Sequence, residues 1–587
     1  VNTVIRVNTR SRQVTSHPVT SEESRWGGRS FIAHLLLREV PPTCEPTGRR
    51  NKLIVASGLL ADTNVTTTGQ LSIGGKSPLT GGVKECNTGG SAGKRLARLG
   101  IRAVVIEDTP AAPATAAPAL AAPATDVVVI RARESRMEPG PELKGKPVDE
   151  TIAALRARYG QSIGILCIGP AGEMMMYGAG LASPDSDALQ IRYAARGGLG
   201  ALMGSKGVKA IVIDDSDSTY RSEPHDPELL QRTSKWMVEA LKADPKTENR
   251  HLYGTDAILA LANASGLLPT RNFSSGQFER AEEIAGERLR SEILARGGEG
   301  RAGTSCVPGC VIQCCNVFPD KGGRKTVASI QYENISLLGS NCGIGSLDDI
   351  AEMNHLCNQV GVDAIETGAA IGVAMEAGIL PFGDAEAAKG LIREIGRGTY
   401  LGRILGHGAL LAGRVFGVRR IPVIKGQAIP GYDPRALKGN GVTYVTSPMG
   451  ADHTAGNAFE TLKTLDPLKP AGQVAASRKL QVRAALLDTL GLCLFVRPPF
   501  AKKPEMFAAL LNGRYGWDMT VRDVLALAHE VIMTEREFNR RAGASEEFHP
   551  MPEFMQDEPL PPNDVVFDVP MAEMQTLWDG YEPTDEF

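Results

Sequence analysis

Four of the ten cysteines in this 587-residue chain crowd into ten positions: Cys306, Cys310, Cys314 and Cys315, in CVPGCVIQCCNVF. Pro308 and Gly309 break any regular helix there, so the loop can fold around an object, and converging thiolates suit soft or borderline metals. Zinc sites usually come as two CxxC pairs, whereas three close cysteines and one remote one hold a four-iron cubane, so the spacing favours an iron-sulfur cluster. The remote ligand is to be sought among Cys44, Cys86, Cys167, Cys342, Cys357 and Cys493, and spacing alone does not choose. Cys315, beside Cys314, is an alternative third ligand. Ten cysteines are too few for a disulfide scaffold.

Other chemistry-bearing patterns fail on inspection. GQLSIGGKS resembles a phosphate loop, but Gln70 stands where its first glycine belongs. Gly198, Gly200 and Gly204 make a loose dinucleotide fingerprint with no convincing buried strand before it, so a close-packed glycine turn is the better reading. His529 and Glu530 start an HExxH-like helix, but position 533 is Met533. Glu352 and His355 share a helix face, where a hydrogen-bonded surface pair is favoured over a metal.

The elements that must position these residues change character along the chain. NKLIVASGLL, IRAVVIED, TDVVVIRAR, SIGILCIG and VKAIVIDD are β-branched runs bounded by Gly, Pro, Asp or Asn and predict a strand-rich region over 1–215. TPAAPATAAPALAAPAT reads as an exposed Ala/Pro insertion within it. From about 220 the periodicity turns helical, in PELLQRTSKWMVEALKAD, DAILALANASGLL and DIAEMNHLCNQVG, which defines 216–415. A third region, 416–587, mixes RIPVIKG and GYDPRALKGNGV with further helices, and its acidic, proline-rich end from Glu547 reads as a surface tail. The fold class is therefore α+β. With 64 basic and 67 acidic residues the formal charge is −3, which argues against nucleic acid, and 42% hydrophobic with 22% charged residues is ordinary globular usage. No run of 18 apolar residues predicts a membrane span, and the reading is a cytoplasmic protein.

Several segments together resemble the aldehyde ferredoxin oxidoreductase family of tungsten- or molybdenum-pterin enzymes: NKLIVASGLL, KSPLTGGVKECNTGG, CIGPAGE, ARGGLGALMGSKGVKAI, YGTDAILALANASGLLPTRNF, CVPGCVIQC, YENISLLGSNCGI, GVDAIETG, GYDPRALKGNG and DTLGLCLF. The resemblance spans nearly the whole chain. It implies a β-rich N-terminal base, two mainly helical domains enclosing the cofactor, and one tungsten (or molybdenum) bis-pyranopterin beside a 4Fe-4S cluster.

Residue by residue, the resemblance implies pterin contacts from Asp363 in GVDAIETG and Asp488 in DTLGLC, since a carboxylate accepts paired N–H bonds from an aminopyrimidine edge. Without it, each Asp reads as a helix cap or turn residue. Asp488 and Cys493 are five positions apart, which singles out Cys493 to join Cys306, Cys310 and Cys314 on the cluster. Asn87, Gly89, Gly90 and Arg196 are implied at the pterin phosphates with a bridging magnesium. Gln70 departs from the family's usual arginine there. Glu333 in QYENISLLG and His453 in GADHTAG are the implied proton-transfer pair.

The expected reaction oxidises an aldehyde to a carboxylic acid with water, passing electrons to ferredoxin or a ferredoxin-like iron-sulfur subunit; acid reduction is the reverse. Two alternatives are a pterin-bearing catalytic subunit of a multi-subunit reductase acting on a carboxylic acid or aromatic thioester, and a non-catalytic iron-sulfur electron relay. A homo-oligomer or heteromeric complex is expected, because one cluster cannot carry electrons far.

Overall fold

The computed structural model describes residues 2–111, 124–187, 189–544, 550–585 and 587; most of the Ala/Pro insertion and the start of the expected tail, Glu547, lie outside them. Every β-branched run named above is a strand. β1 (Thr3–Asn8), β2 (Gln13–Pro18), β3 (Leu53–Ser57), β4 (Leu71–Lys76), β5 (Val83–Thr88) and β6 (Ile101–Glu107) form one sheet in the order β2-β1-β6-β3-β4-β5. β7 (Asp126–Ile130), β8 (Arg136–Pro139), β9 (Gly164–Cys167), β10 (Leu181–Pro184), β11 (Ile191–Ala194) and β12 (Val208–Ile213) form a second, in the order β11-β10-β9-β12-β7-β8. Each contains one parallel pair, β1 with β6 and β7 with β12, among antiparallel neighbours.

Period-two alternation decides which residues meet. Ile5, Val7, Val104 and Ile106 of the first sheet share a core with Val128, Ile130, Ile211 and Ile213 of the second. Their alternates face outward. Val4, Ile54 and Val105 pack against Phe31, Ile32 and Leu35 of the helix Gly28–Glu39, and Val127, Val129 and Val212 against Ile152 and Leu155 of the helix Val148–Tyr159. Strands buried on both faces explain the nearly unbroken apolar runs.

Beyond the sheets the chain is mainly helical. The helix Pro227–Lys242 starts at an Asp226 cap whose side chain accepts from Leu229 N at 2.9 Å. Gly361 ends the helix Leu347–Val360 in left-handed backbone, φ +80°, and Asp363 caps the next, Ala364–Glu376. A small sheet of β13 (Arg301–Thr304), β14 (Cys315–Pro319) and β15 (Lys325–Val327) carries the cysteine loop, with Thr304 paired to Cys315. The expected surface tail is corrected from residue 550 on: Met555 and Leu560 are fully buried, and Leu577 and Trp578 nearly so. Its apolar residues are spaced irregularly by prolines, so no periodicity announced a packed segment. No single helix among the described residues is long and apolar enough to cross a membrane.

The helix Gln473–Leu490 brings Asp488 to the centre and stops at Gly491, φ +75°. Gly58 crosses it so closely that a Cβ on Gly58 would lie 2.3 Å from Gly491 Cα. Gly58→Ala is therefore expected to push the 488–493 turn aside, costing about 1–3 kcal/mol of stability as overpacking does; an unchanged thermal midpoint would refute that crowding.

Candidate active site

The structure gathers the expected residues from all three regions around one cavity of about 570 Å³, lined by Asn87, Gly89, Cys306, Cys314, Glu333, His453 and Cys493 among others. Glu333 sits at the start of a short helix, Tyr332–Asn334, and His453 opens a 3-10 turn, His453–Ala455. Glu333 Oε2 accepts the Gly431 N–H at 2.8 Å. Its Oε1 faces His453 Nδ1 at 3.5 Å, too far for a hydrogen bond, and both atoms are buried without a partner. Burial raises the Glu333 pKa, and the nearby charge of His453 opposes that rise. Tyr432 covers this pair, its ring 5.8 Å from His453 and 4.9 Å from Tyr332.

The cysteine loop closes against the first sheet. Gly90 N–H donates to Cys306 O at 2.7 Å, Thr66 Oγ1 donates to Gly309 O at 2.8 Å, and Val311 N–H returns to Thr66 Oγ1 at 3.3 Å. Gly90 has φ +93°, and a Cβ there would lie 2.3 Å from Ser183 Oγ. Arg192 Nη1 points at Cys315 Sγ at 3.7 Å, and Gln70 Nε2 at Cys306 Sγ at 3.9 Å. Cys310 is buried behind the lining. Burial, then the neighbouring Cys306 and Cys310, pushes the Cys493 thiol up to about 12, and burial with Cys306 pushes Cys310 up to about 11. Thiols so held must lose protons to whatever metal they bind.

Other predicted residues stand one layer behind. Asp488 Oδ1 accepts Asn87 Nδ2 at 2.6 Å, and Oδ2 accepts Arg29 Nη1 at 3.2 Å; Arg29 also forks onto Glu535 with two bonds of 2.8 Å. Burial lifts the Asp488 pKa to about 6 against the pull of Arg29. Asp363 takes Ile365 N at 3.1 Å and Glu366 N at 3.2 Å as a helix cap, and also Arg196 Nε at 3.3 Å. Arg196 also donates from Nη1 to Ala451 O and from Nη2 to Ala428 O, each at 2.5 Å. Arg196 and the Gly90 N–H are thus engaged by protein, whereas Asn87 and Gly89 reach the cavity wall.

Sequence reasoning passed over several residues that shape this site. Lys84 of β5 pairs with Asp452, both fully buried or nearly so, and Lys84 with Arg196 holds the Asp452 carboxyl well below its ordinary range despite burial. Arg29, Arg192 and Tyr432 were likewise unmarked; their partners are remote in sequence, and only the isolated charge in GGRS and IRYA hinted at two of them. Of the discarded patterns, GQLSIGGKS contains β4, His529 stacks on Trp578 at 5.4 Å, and Glu352 pairs with Lys389 and Arg393.

Thiol donors from two loops, the orphaned Glu333 Oε1 and His453 Nδ1, and a Gly89–Gly90 approach that side chains would close are the chemistry a metal-bearing cofactor calls for, while among the described residues no three or more His, Cys, Asp or Glu already converge on one metal position. Residues 4–215 match the model of the aldehyde ferredoxin oxidoreductase N-terminal domain, and 232–581 that of its domains 2 and 3. The chain is 30% identical over 585 residues to the tungsten-containing aldehyde ferredoxin oxidoreductase of Pyrococcus furiosus, covering 95% of this chain and 91% of that protein, and 31% identical over 587 residues to that of Thermococcus kodakarensis, with the same coverage. It is 25% identical over 520 residues to an aliphatic sulfonate oxidoreductase, WOR-like subunit, of Pyrococcus furiosus, covering 83% and 78%. A solved structure of the active site complex BamBC of benzoyl coenzyme A reductase shares the fold, with a TM-score of 0.79 at 17% identity over 99% of this chain and 93% of the other.

These matches define an oxidoreductase with a β-rich N-terminal domain followed by helical domains. The chain belongs to the aldehyde ferredoxin oxidoreductase family.

Proposed function

We propose that this enzyme oxidises an aldehyde: RCHO + H2O gives RCOOH, two protons and two electrons, the electrons leaving through a 4Fe-4S cluster to ferredoxin or a ferredoxin-like iron-sulfur subunit. The observation that carries the reading is the facing pair Glu333 Oε1 and His453 Nδ1, 3.5 Å apart and without a hydrogen bond, inside the cavity that Cys306, Cys314 and Cys493 also line. When bound, the tungsten bis-pyranopterin supplies a two-electron acceptor beside that pair.

The chain's own residues would do the rest. Glu333, anchored by the Gly431 N–H and lifted by burial, takes a proton from the attacking water. His453 polarises the substrate oxygen, and the Lys84–Asp452 pair fixes the segment that carries it. Tyr432 and Phe459 keep bulk water from the reacting atoms. Cys306, Cys310, Cys314 and Cys493 would hold the cluster, with Cys315 the alternative to Cys314. Asp363 and Asp488 would hold the pterins, and Asn87, Gly89, Gly90 and Arg196 their phosphates and magnesium. A pterin N–H at Asp488 would share the carboxylate with Asn87 and Arg29, and a phosphate reaching the Gly90 N–H has to draw it off Cys306 O.

Metal and pterin analysis of anaerobically purified protein tests this. About four irons, with one tungsten or molybdenum and two pterins per chain, is the expected result, together with aldehyde-dependent reduction of ferredoxin. Zinc alone would overturn the reading. Asp488→Ala is expected to lose pterin while keeping iron, as read by pterin fluorescence after oxidative release; retention of full pterin would remove Asp488 from the site.

A further inference from the structure

The second sheet sends one charged side chain toward the cysteine loop. In β11 the period of two turns Ile191 and Tyr193 to the core they share with Ile152 and Leu155, so Arg192 projects from the opposite face. There it lines the cavity beside the thiols. Gly89 leaves room for it, since a Cβ there would lie 3.4 Å from Arg192 Cγ and 2.8 Å from Cys306 O. Arg192 Nη1 donates to Cys315 Sγ at 3.7 Å, and Nη2 to Gln331 Oε1 at 3.2 Å. A guanidinium only donates, so it fixes which way the Gln331 amide faces and leaves Nε2 to donate to the same sulfur, at 3.8 Å. A ring thus closes between β11, the cysteine hairpin and the residue that precedes the Glu333 helix. Burial works against the Arg192 charge, but the sulfurs of Cys315, Cys306, Cys314 and Cys493, in that order, outweigh it and raise the pKa. Gln70 offers Cys306 Sγ a neutral N–H at 3.9 Å. Among the described residues, Arg192 is the one charged side chain that donates to these sulfurs.

We propose that Arg192, oriented by Gln331, is a positioning residue for the electron path, its fixed charge raising the midpoint potential of the cluster this loop would hold. The inference rests on the cluster assignment above and adds to it the group that sets how readily the cluster takes an electron. Reduction adds one electron and no proton, so the site gains a negative charge that a nearby guanidinium stabilises. Each of the two electrons released by the aldehyde passes singly through the site to the ferredoxin-like acceptor. N–H donors to the sulfurs act in the same direction as the charge. Arginine keeps its proton at any working pH, so the effect is built in and does not switch.

The test is a potentiometric titration of anaerobically purified holoenzyme, followed by the paramagnetic signal of the reduced cluster. Arg192→Met keeps the stem and removes the charge, and is expected to lower the midpoint potential by about 60 mV or more, a tenfold or larger change in the one-electron equilibrium. Arg192→Lys restores most of that shift, and Gln331→Leu, which leaves the charge in place, lowers the potential less than Arg192→Met does. Iron stays at about four per chain in all three variants. An unmoved midpoint in Arg192→Met with full iron would overturn the proposal. So would a shift that Arg192→Lys does not reverse, because lost packing and not lost charge would then be its cause. Should Arg192→Met bind no iron, Arg192→Gln, neutral but still a donor, gives the same comparison. Loss of iron from the Met, Gln and Lys variants alike would overturn the proposal too, leaving Arg192 to hold the shape of the loop. Wild-type protein with pterin and tungsten or molybdenum but no iron would sink the cluster assignment itself.

Discussion

Glu333→Gln is expected to lower kcat for aldehyde oxidation by about 10²- to 10⁴-fold, the range general-base removal produces. Glutamine keeps the shape and can keep the acceptor for the Gly431 N–H, now 2.8 Å from Oε2, but cannot take a proton. Metal, pterin and iron contents therefore stay at wild-type levels while turnover falls. The pH profile carries a second signature. Burial raises the Glu333 pKa above its ordinary 4.5, with His453 pulling the other way. Only the ionised form can act as the base, so wild-type kcat falls as pH drops through the raised pKa, and the acid limb lies above 4.5. In the glutamine variant that limb disappears. Turnover within about threefold of wild type, or an acid limb that persists, would assign the proton to another group.

Cys493→Ala should abolish the four-iron signal. Cys493 follows the Gly491 turn, caps the 3-10 turn Leu494–Val496, and lines the same cavity as Cys306 and Cys314. Iron per chain is expected to fall from about four toward zero, with loss of the low-temperature paramagnetic signal of the reduced protein. Cys357→Ala is the matched control: its thiol is fully buried within the helix Leu347–Val360, and burial pushes its pKa up. Its loss leaves a small void and intact iron. Full iron in Cys493→Ala, or lost iron in Cys357→Ala alone, would reverse the choice of the remote ligand.

What could be read in the sequence, and what could not, follows from the range of the forces involved. The inner strands β3, β6, β7, β9 and β12 were legible because burial on two faces writes itself locally as runs such as VVVI and IVI. The cysteine loop was legible because three ligands share one hairpin. The family resemblance then brought in Glu333, His453 and Cys493, and the fold does set these at one cavity. The Lys84–Asp452 and Arg29–Glu535 pairs were not legible, since partners 368 and 506 residues apart leave no local pattern. Nor did the resemblance show that Arg196 and Asp363 engage each other, or that Gly90 gives its N–H to Cys306. The packed C-terminal segment was misread because proline and acidic residues outweigh, in composition, the few apolar side chains that insert.

Those long-range pairs bear on how the enzyme comes into being. Asn87, Lys84 and Arg29 are synthesised 401, 368 and 506 residues before their partners Asp488, Asp452 and Glu535. A ribosome working from the N-terminus completes both sheets and the cysteine hairpin long before it makes the helix Val521–Ala542 that supplies Glu535. The chamber therefore cannot be walled in during translation of its first two regions. Its closure waits for the third region, and the interval before Arg29 finds Glu535 is the period in which a prosthetic group has the widest door to enter.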